Sequence, residues 1–379
     1  MCRSNHKSEI RNHKSTAFSL AVLVGLSAAA ARATDFGDGG EIVRAISDSC
    51  IIAANQGGSR PVLQYYDGYT WTNHYSQLVN FHGCGVGRRD RKPGPDGYWL
   101  LPGESTSSTP WDYALNKWDG KTFTDLRSNL IGFSGRRADI AKWGGSGSGY
   151  WLISGAGNYQ STPKLNKFDG ANWTDLSSGI SDKGYGITDM LYNGSYWLIV
   201  GNGGWAKKYD GTTWTDVSSG WGSGWGWDID GLGWNGSYWL LGGCKGRVKK
   251  FDGSNWTDLS SAAGFGGGDP YGIAWSPTLG YWLLGSNGAL KRYDGATWTA
   301  VPGWSSYWNA SSVEWTGTTF VIGYNDTSNG HGLFGLIGIA SYDGTTLMQG
   351  VKVIPEPGSI TLVVCAAVAG LIWLWVRKG

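Results

Sequence analysis

Lys249-Lys250-Phe251-Asp252-Gly253-Ser254-Asn255-Trp256-Thr257-Asp258-Leu259-Ser260-Ser261 reads as a strand, a tight turn and a second strand. The same pattern precedes it at Lys207-Lys208-Tyr209-Asp210-Gly211-Thr212-Thr213-Trp214-Thr215 and follows it at Lys291-Arg292-Tyr293-Asp294-Gly295-Ala296-Thr297-Trp298-Thr299. Working outward, the turn recurs at Asp67, Asp119, Asp169, Asp210, Asp252, Asp294 and Asp343, each followed by Gly, with spacings of 52, 50, 41, 42, 42 and 49 residues. An aromatic precedes each Asp (Tyr66, Trp118, Phe168, Tyr209, Phe251, Tyr293, Tyr342). Trp or Phe lies three residues beyond the Gly in every copy but the last, which has Leu347.

A second strand recurs upstream of each turn. It reads Tyr98-Trp99-Leu100-Leu101, Tyr150-Trp151-Leu152-Ile153, Tyr196-Trp197-Leu198-Ile199, Tyr238-Trp239-Leu240-Leu241 and Tyr281-Trp282-Leu283-Leu284. Thr319-Phe320-Val321-Ile322 is a looser copy, and Cys50-Ile51-Ile52 is the first. Short apolar runs bounded by Gly or Asn-Gly are buried strands. The sixth unit resolves into four: Tyr271–Trp275, Tyr281–Leu284, Ala289–Tyr293 and Thr297–Val301. Four strands in about 42 residues is one propeller blade. The expected fold is all-β, a seven-bladed β-propeller of four-stranded blades over residues 35–351. A ring is preferred to a solenoid because it removes open sheet edges.

Composition agrees. The chain has 63 Gly and 24 Trp, with aromatics at 14% and charged residues at 16%, an aromatic content that disorder does not reach. The blade layout resembles kelch-type and other propellers, and the Asp-Gly-x-x-Trp core is similar to the Asp-box of sialidase-like propellers. That motif has one more residue between Asp and Gly, so no catalytic residue carries over. The repeated Asp residues are read as structural, accepting hydrogen bonds from turn amides beside a Gly of unusual φ.

The two ends differ from the body. A basic opening, the apolar run Ala17–Ala31 and Ala31-Arg32-Ala33 form a signal-peptide pattern over residues 1–33. At the other end Pro355-Glu356-Pro357 leads into the apolar run Ile360–Val376, then Arg377-Lys378-Gly379. Such a run spans roughly 25 Å as a helix, enough for one bilayer crossing, with the basic end held in the cytoplasm. Together, Pro355, Glu356, Pro357, the single span and Arg377-Lys378 resemble the PEP-CTERM sorting signal of Gram-negative bacteria, covering residues 352–379. The resemblance implies an exosortase partner that processes the tail. It also implies export to the outer surface or extracellular matrix after initial anchoring in the inner membrane.

Formal charge is +2, and without the basic opening the remainder is −2, so no basic surface points to nucleic acid. Of the cysteines in the body, Cys50 and Cys84 fit either a disulfide or two buried thiols, with Cys244 left over. Enzyme signatures are thin: there is no CxxC, HExxH, GxSxG or P-loop, and no catalytic residue is assigned. Asp139, Asp189 and Asp228, with Glu41, Asp230 and Glu314, begin or sit near the strands expected to line the channel. They fit a carboxylate ring for Ca²⁺ or sugar hydroxyls, or simply solvated strand starts. Trp221 and Trp225, set among glycines and echoed by Trp304, Tyr307 and Trp308, fit either sugar stacking or core packing. The expected role is non-catalytic binding or scaffolding, with an exopolysaccharide or a surface protein as partner. The alternative is a secreted carbohydrate-active hydrolase or lyase using an acidic channel.

Overall fold

The computed structural model describes residues 40–47, 50–56, 63–66, 71–79, 81–86, 88–89, 97–105, 113–133, 137–147, 149–156, 162–224, 226–328 and 336–349. The leader, the sorting-signal residues Pro355, Glu356, Pro357, Arg377 and Lys378, and Asp67 and Trp225 lie outside them.

The chain is a seven-bladed β-propeller. Blade 1 is Gly40–Ser47, Cys50–Gln56, Leu63–Tyr66 and Trp71–Asn73. Blade 2 is Phe81–Val86, Trp99–Ser105, Tyr113–Trp118 and Phe123–Asp125. Blade 3 is Arg137–Gly144, Tyr150–Ala156, Lys164–Phe168 and Trp173–Asp175. Blade 4 is Ile187–Tyr192, Trp197–Gly201, Ala206–Tyr209 and Trp214–Asp216. Blade 5 is Ile229–Trp234, Trp239–Gly243, Arg247–Phe251 and Trp256–Asp258. Blade 6 is Gly272–Ser276, Tyr281–Ser286, Ala289–Tyr293 and Trp298–Ala300. Blade 7 is Trp308–Trp315, Phe320–Asp326, Leu336–Tyr342 and Leu347–Gln349. Within each blade the strands are antiparallel and in chain order. Blade 3 departs from the expected four, because Arg88–Arg89 adds a short parallel strand to its inner edge.

The first strands of blades 3 to 7 are innermost and neighbour one another in succession, and blade 7 closes directly against the first strand of blade 1. Among the described residues no strand is exchanged at that closure. Antiparallel order puts each Asp-Gly turn and each inner hairpin turn on one face, the turn face. The loops between second and third strands, and the crossings to the next blade, lie on the other, the loop face.

Each described repeat turn is built alike. Asp252 Oδ1 accepts from the amides of Ser254 at 2.8 Å and Asn255 at 2.7 Å, while Gly253 takes φ +101°, which a side chain resists. Asp119, Asp169, Asp210, Asp294 and Asp343 make the same amide pairs. The Trp beyond the turn stacks on the aromatic before it, as in Phe251–Trp256 and Tyr293–Trp298, with centroids 4.5 and 4.4 Å apart. Trp256 also donates to Val217 O of the preceding blade at 3.0 Å, so turn chemistry and interblade packing are one feature.

Interblade packing forms the core. Leu240 and Val248 of blade 5 share one apolar cluster with Trp282 and Leu284 of blade 6, and this pattern repeats around the ring. Trp151, Trp197, Trp239 and Trp282 are fully buried, and cutting one back to Ala would cost about 3–5 kcal/mol. Among the described residues no helix is long and apolar enough to cross a membrane.

Candidate functional site

The channel-side carboxylates do not occupy equivalent positions. Inner strands of blades 3, 4, 5 and 7 carry a one-residue bulge at Asp139, Thr188, Asp230 and Ser311. Asp139 and Asp230 therefore correspond, whereas Asp189 lies one residue further on, paired with Val200. Asp228 precedes its strand altogether. A uniform ring needs one register position in every blade.

Their partners separate them further. Asp189 is buried and faces Lys142 Nζ of blade 3 at 3.7 Å, an ion pair that links adjacent blades. Asp228 is buried between blades 4 and 5, where Oδ1 accepts from the Gly203 amide at 2.5 Å and Oδ2 lies 3.6 Å from Cys244 Sγ. Two of the three carboxylates proposed from sequence thus hold blades together. Calcium binding needs several oxygens free to converge on one ion.

Trp221 is also placed differently from a sugar-stacking residue. It is fully buried in the blade 4–5 cluster, and its Nε1 donates to Trp227 O at 2.7 Å. Lys249 Nζ, from the repeat of the following blade, caps the carbonyls of Gly220 and Trp221 at 2.9 and 3.0 Å. The glycines beside Trp221 serve close approach: a Cβ on Gly220 would meet Trp256 Cδ1 at 1.9 Å.

The structure gathers a different set on the loop face between blades 5 and 6. Asp230, Cys244 and Asp269 present ligand atoms within 4.8 Å of one another. Lys245 N donates to Asp269 Oδ1 at 2.6 Å, and the Tyr271 hydroxyl donates to Asp269 Oδ2 at 3.2 Å. Lys245 has φ +62°, the one described non-glycine residue in the left-handed region. Its blade 4 counterpart is Gly203 at +77°, so the replacement of Gly by Lys at this repeat position was the readable signal. Burial, and then the carboxylates of Asp230, Asp269 and Asp228, push the Cys244 thiol up to about 12. At neutral pH it is a protonated, poorly nucleophilic thiol.

One large aromatic is held open to solvent on the same face. Tyr307, in the crossing from blade 6 to blade 7, is 58% exposed. It is fixed from both sides: its amide donates to Ser305 Oγ at 3.2 Å, and its carbonyl accepts from the Thr327 amide and hydroxyl, both at 2.9 Å. Behind it, Trp308 Nε1 donates to Asp326 Oδ2 at 3.0 Å, and Trp304 Nε1 to Trp308 O at 3.1 Å. The hydroxyls of Ser305 and Thr327 thus lie beside the Tyr307 backbone. Sequence reasoning had Tyr307 only as an echo of Trp221, because exposure cannot be read from spacing.

These features define a propeller whose readable chemistry lies on one face, outside its repeat. The sequence matches no family model and no curated protein. Among solved structures it is similar to the WD40 β-propeller domain of Doa1, with a TM-score of 0.52 and 13% identity, over 78% of this chain and 93% of that one. A structure described as YCF48 bound to D1 peptide gives 0.55 and 13%, over 78% and 93%. The β-propeller domain of Myceliophteria thermophila Cps50 (Swd1) gives 0.53 and 11%, over 82% and 98%. Identities this low establish the shared fold and nothing finer.

Proposed function

We propose that this chain is an exported, non-catalytic binding propeller that holds an exopolysaccharide at the cell surface, and that its PEP-CTERM-like tail is processed by an exosortase. The observation that carries the binding reading is the solvent-facing Tyr307, its backbone held on both sides by the hydroxyl-bearing Ser305 and Thr327. A flat aromatic stacks on the apolar face of a pyranose, and adjacent hydroxyls satisfy the sugar's own. Holding the backbone that carries the ring spares part of the ordering cost of binding. Propellers also serve as scaffolds for surface proteins, and that is the second occupant to test against.

The test is retention of purified full-length protein, in detergent micelles, on a glycan array and on immobilised exopolysaccharide. Tyr307→Ala should lower retention about tenfold while leaving the melting temperature unchanged. Equal retention by both proteins defeats the reading. Release of reducing ends or unsaturated sugars during the same incubation would favour the hydrolase or lyase alternative. For the tail, replacing Pro355 and Glu356 should leave the protein uncleaved in a host that carries an exosortase.

A further inference from the structure

Tyr307 stands in a stretch of chain that has carboxylates and no cation. Between Arg292 and Lys352 the sequence contains no Lys or Arg, yet it contains Asp294, Glu314, Asp326 and Asp343. The stretch covers all four strands of blade 7 and the crossing that leads into them. The two basic positions of the repeat are lost there: Lys249-Lys250 of blade 5 corresponds by register to Ala340-Ser341. Lys291, the last loop-face lysine before the stretch, is committed elsewhere. Its Nζ donates to Ala263 O at 2.6 Å and to Gly264 O at 2.8 Å, both in the crossing from blade 5 to blade 6.

One of those carboxylates lies beside the exposed ring's anchorage. Asp326 ends the second strand of blade 7 on the loop face, paired in register with Trp308, the residue after Tyr307. Paired Cα atoms lie about 5 Å apart and consecutive ones about 4 Å, so the Tyr307 and Asp326 Cα atoms are within about 9 Å of each other. A short oligosaccharide covers that reach. The half-buried carboxylate is also fixed, because Oδ2 accepts from Trp308 Nε1 at 3.0 Å and Oδ1 from the Ser328 amide at 2.9 Å. Burial would raise its pKa, but hydrogen bonds from Ser328 and Trp308 outweigh that and hold it below the usual value. It is therefore ionised at any pH where a sugar amine is protonated.

We propose that the polysaccharide taken at Tyr307 is one whose sugars carry free amines rather than carboxylates, and that Asp326 is the residue that makes this choice. The aromatic ring accepts the apolar face of any pyranose, so it does not by itself tell sugars apart. A fixed carboxylate does: it attracts an ammonium group and repels a uronate, and blade 7 has no cation to offset the repulsion. The inference rests on the glycan reading of Tyr307 and adds the chemical class of the sugar.

The test uses the full-length protein in nonionic detergent micelles at about pH 5.5, where the amines are charged and Asp326 is ionised. Retention is measured on immobilised glucosamine oligomers, the same oligomers N-acetylated, and oligouronates of equal length. The free amines should be held about fivefold more tightly than their N-acetylated counterparts, and the uronates least. High salt should erase that difference in the unaltered protein. Asp326→Asn should erase it too, while N-acetylated oligomers are held as before and tryptophan fluorescence is unchanged. Asp294→Asn is the control, since it removes the same charge on the turn face. Asn193 and Asn235 accept from turn amides in the way Asp294 does, so this variant keeps its turn. Equal retention of amine and N-acetylated oligomers overturns the proposal, as does equal loss of the preference in the two Asp variants. If Tyr307→Ala lowers retention of the N-acetylated oligomers but amines add nothing, the glycan reading stands and this inference alone fails. If Tyr307→Ala changes retention of none of them, the glycan reading fails and this inference falls with it.

Discussion

Trp239 Nε1 donates to the Tyr196 hydroxyl across 3.0 Å, and the two residues come from the same tetrapeptide in successive blades. Lys208 Nζ, 4.9 Å from the centroid of the Tyr196 ring, adds a cation over its face and reaches Gly253 O of the next blade at 3.0 Å. One repeat unit therefore supplies both halves of its own interblade joint. Removing either partner leaves the other buried without its bond. Tyr196→Phe and Trp239→Phe should each destabilise by about 1–3 kcal/mol, with a coupling of about 1 kcal/mol in the double-mutant cycle by chemical denaturation. Strict additivity would mean the bond contributes nothing.

Gly220 separates steric from conformational roles of glycine. Its φ is not in the left-handed region, yet an added Cβ would lie 1.9 Å from Trp256 Cδ1. Gly220→Ala should destabilise by about 1–3 kcal/mol by displacing that indole. Gly267 has an ordinary φ and open space around its Cβ position, so Gly267→Ala should leave the denaturation midpoint where it is.

Acid should loosen the ring between about pH 4 and pH 2. The Thr122 and Lys121 amides hold Asp119 down to about 2. Asp169, Asp210, Asp252 and Asp294 are lowered by the same kind of turn amides. Asp216 also falls to about 2, because hydrogen bonds from Lys183 and Ser218 outweigh the burial that would raise it. A carboxyl lowered in the folded state stabilises above its unfolded pKa, and that stability disappears as pH drops through the folded one. Tryptophan fluorescence during acid titration should show the loss within that window. A flat signal down to pH 2 would mean the turns do not couple to the fold.

Cys244 should resist alkylation. With its thiol pushed up to about 12 it holds almost no thiolate at pH 8. Peptide-resolved mass spectrometry after iodoacetamide should find Cys244 unmodified in the folded protein and modified in denaturant. Asp269→Asn, which removes one nearby negative charge, should increase its labelling.

Much of this molecule was legible because a repeat reports its own architecture. The spacing of Asp210, Asp252 and Asp294 announces blades of equal size. The Asp-Gly pair announces its turn, since few residues combine a short acceptor side chain with a neighbour free at positive φ. Strand limits in blade 6 follow the reading within a residue or two. Lys249 and Lys250 were visible too, but their roles were not: one caps loop carbonyls, and the other lies over Tyr238 at 4.3 Å. The candidate site was read less well. Asp189, Asp228 and Trp221 stood out by residue type and are held inside blade junctions, while Asp269 and Cys244 carried no motif.

The repeat alone was sufficient for the all-β class, the blade number and the turn chemistry, because these depend on residues near each other in the chain. Whether a given Asp or Trp faces solvent depends on the neighbouring blade, about 42 residues away in sequence. Asp228 is committed because Gly203 of the blade before presents an amide to it. Tyr307 is open because Thr327 of its own blade grips its backbone and leaves the ring free. Lys249-Lys250-Phe251-Asp252-Gly253 is thus the scaffold's grammar, and the positions that depart from it (Tyr307 and Lys245) took their meaning only from the packed ring.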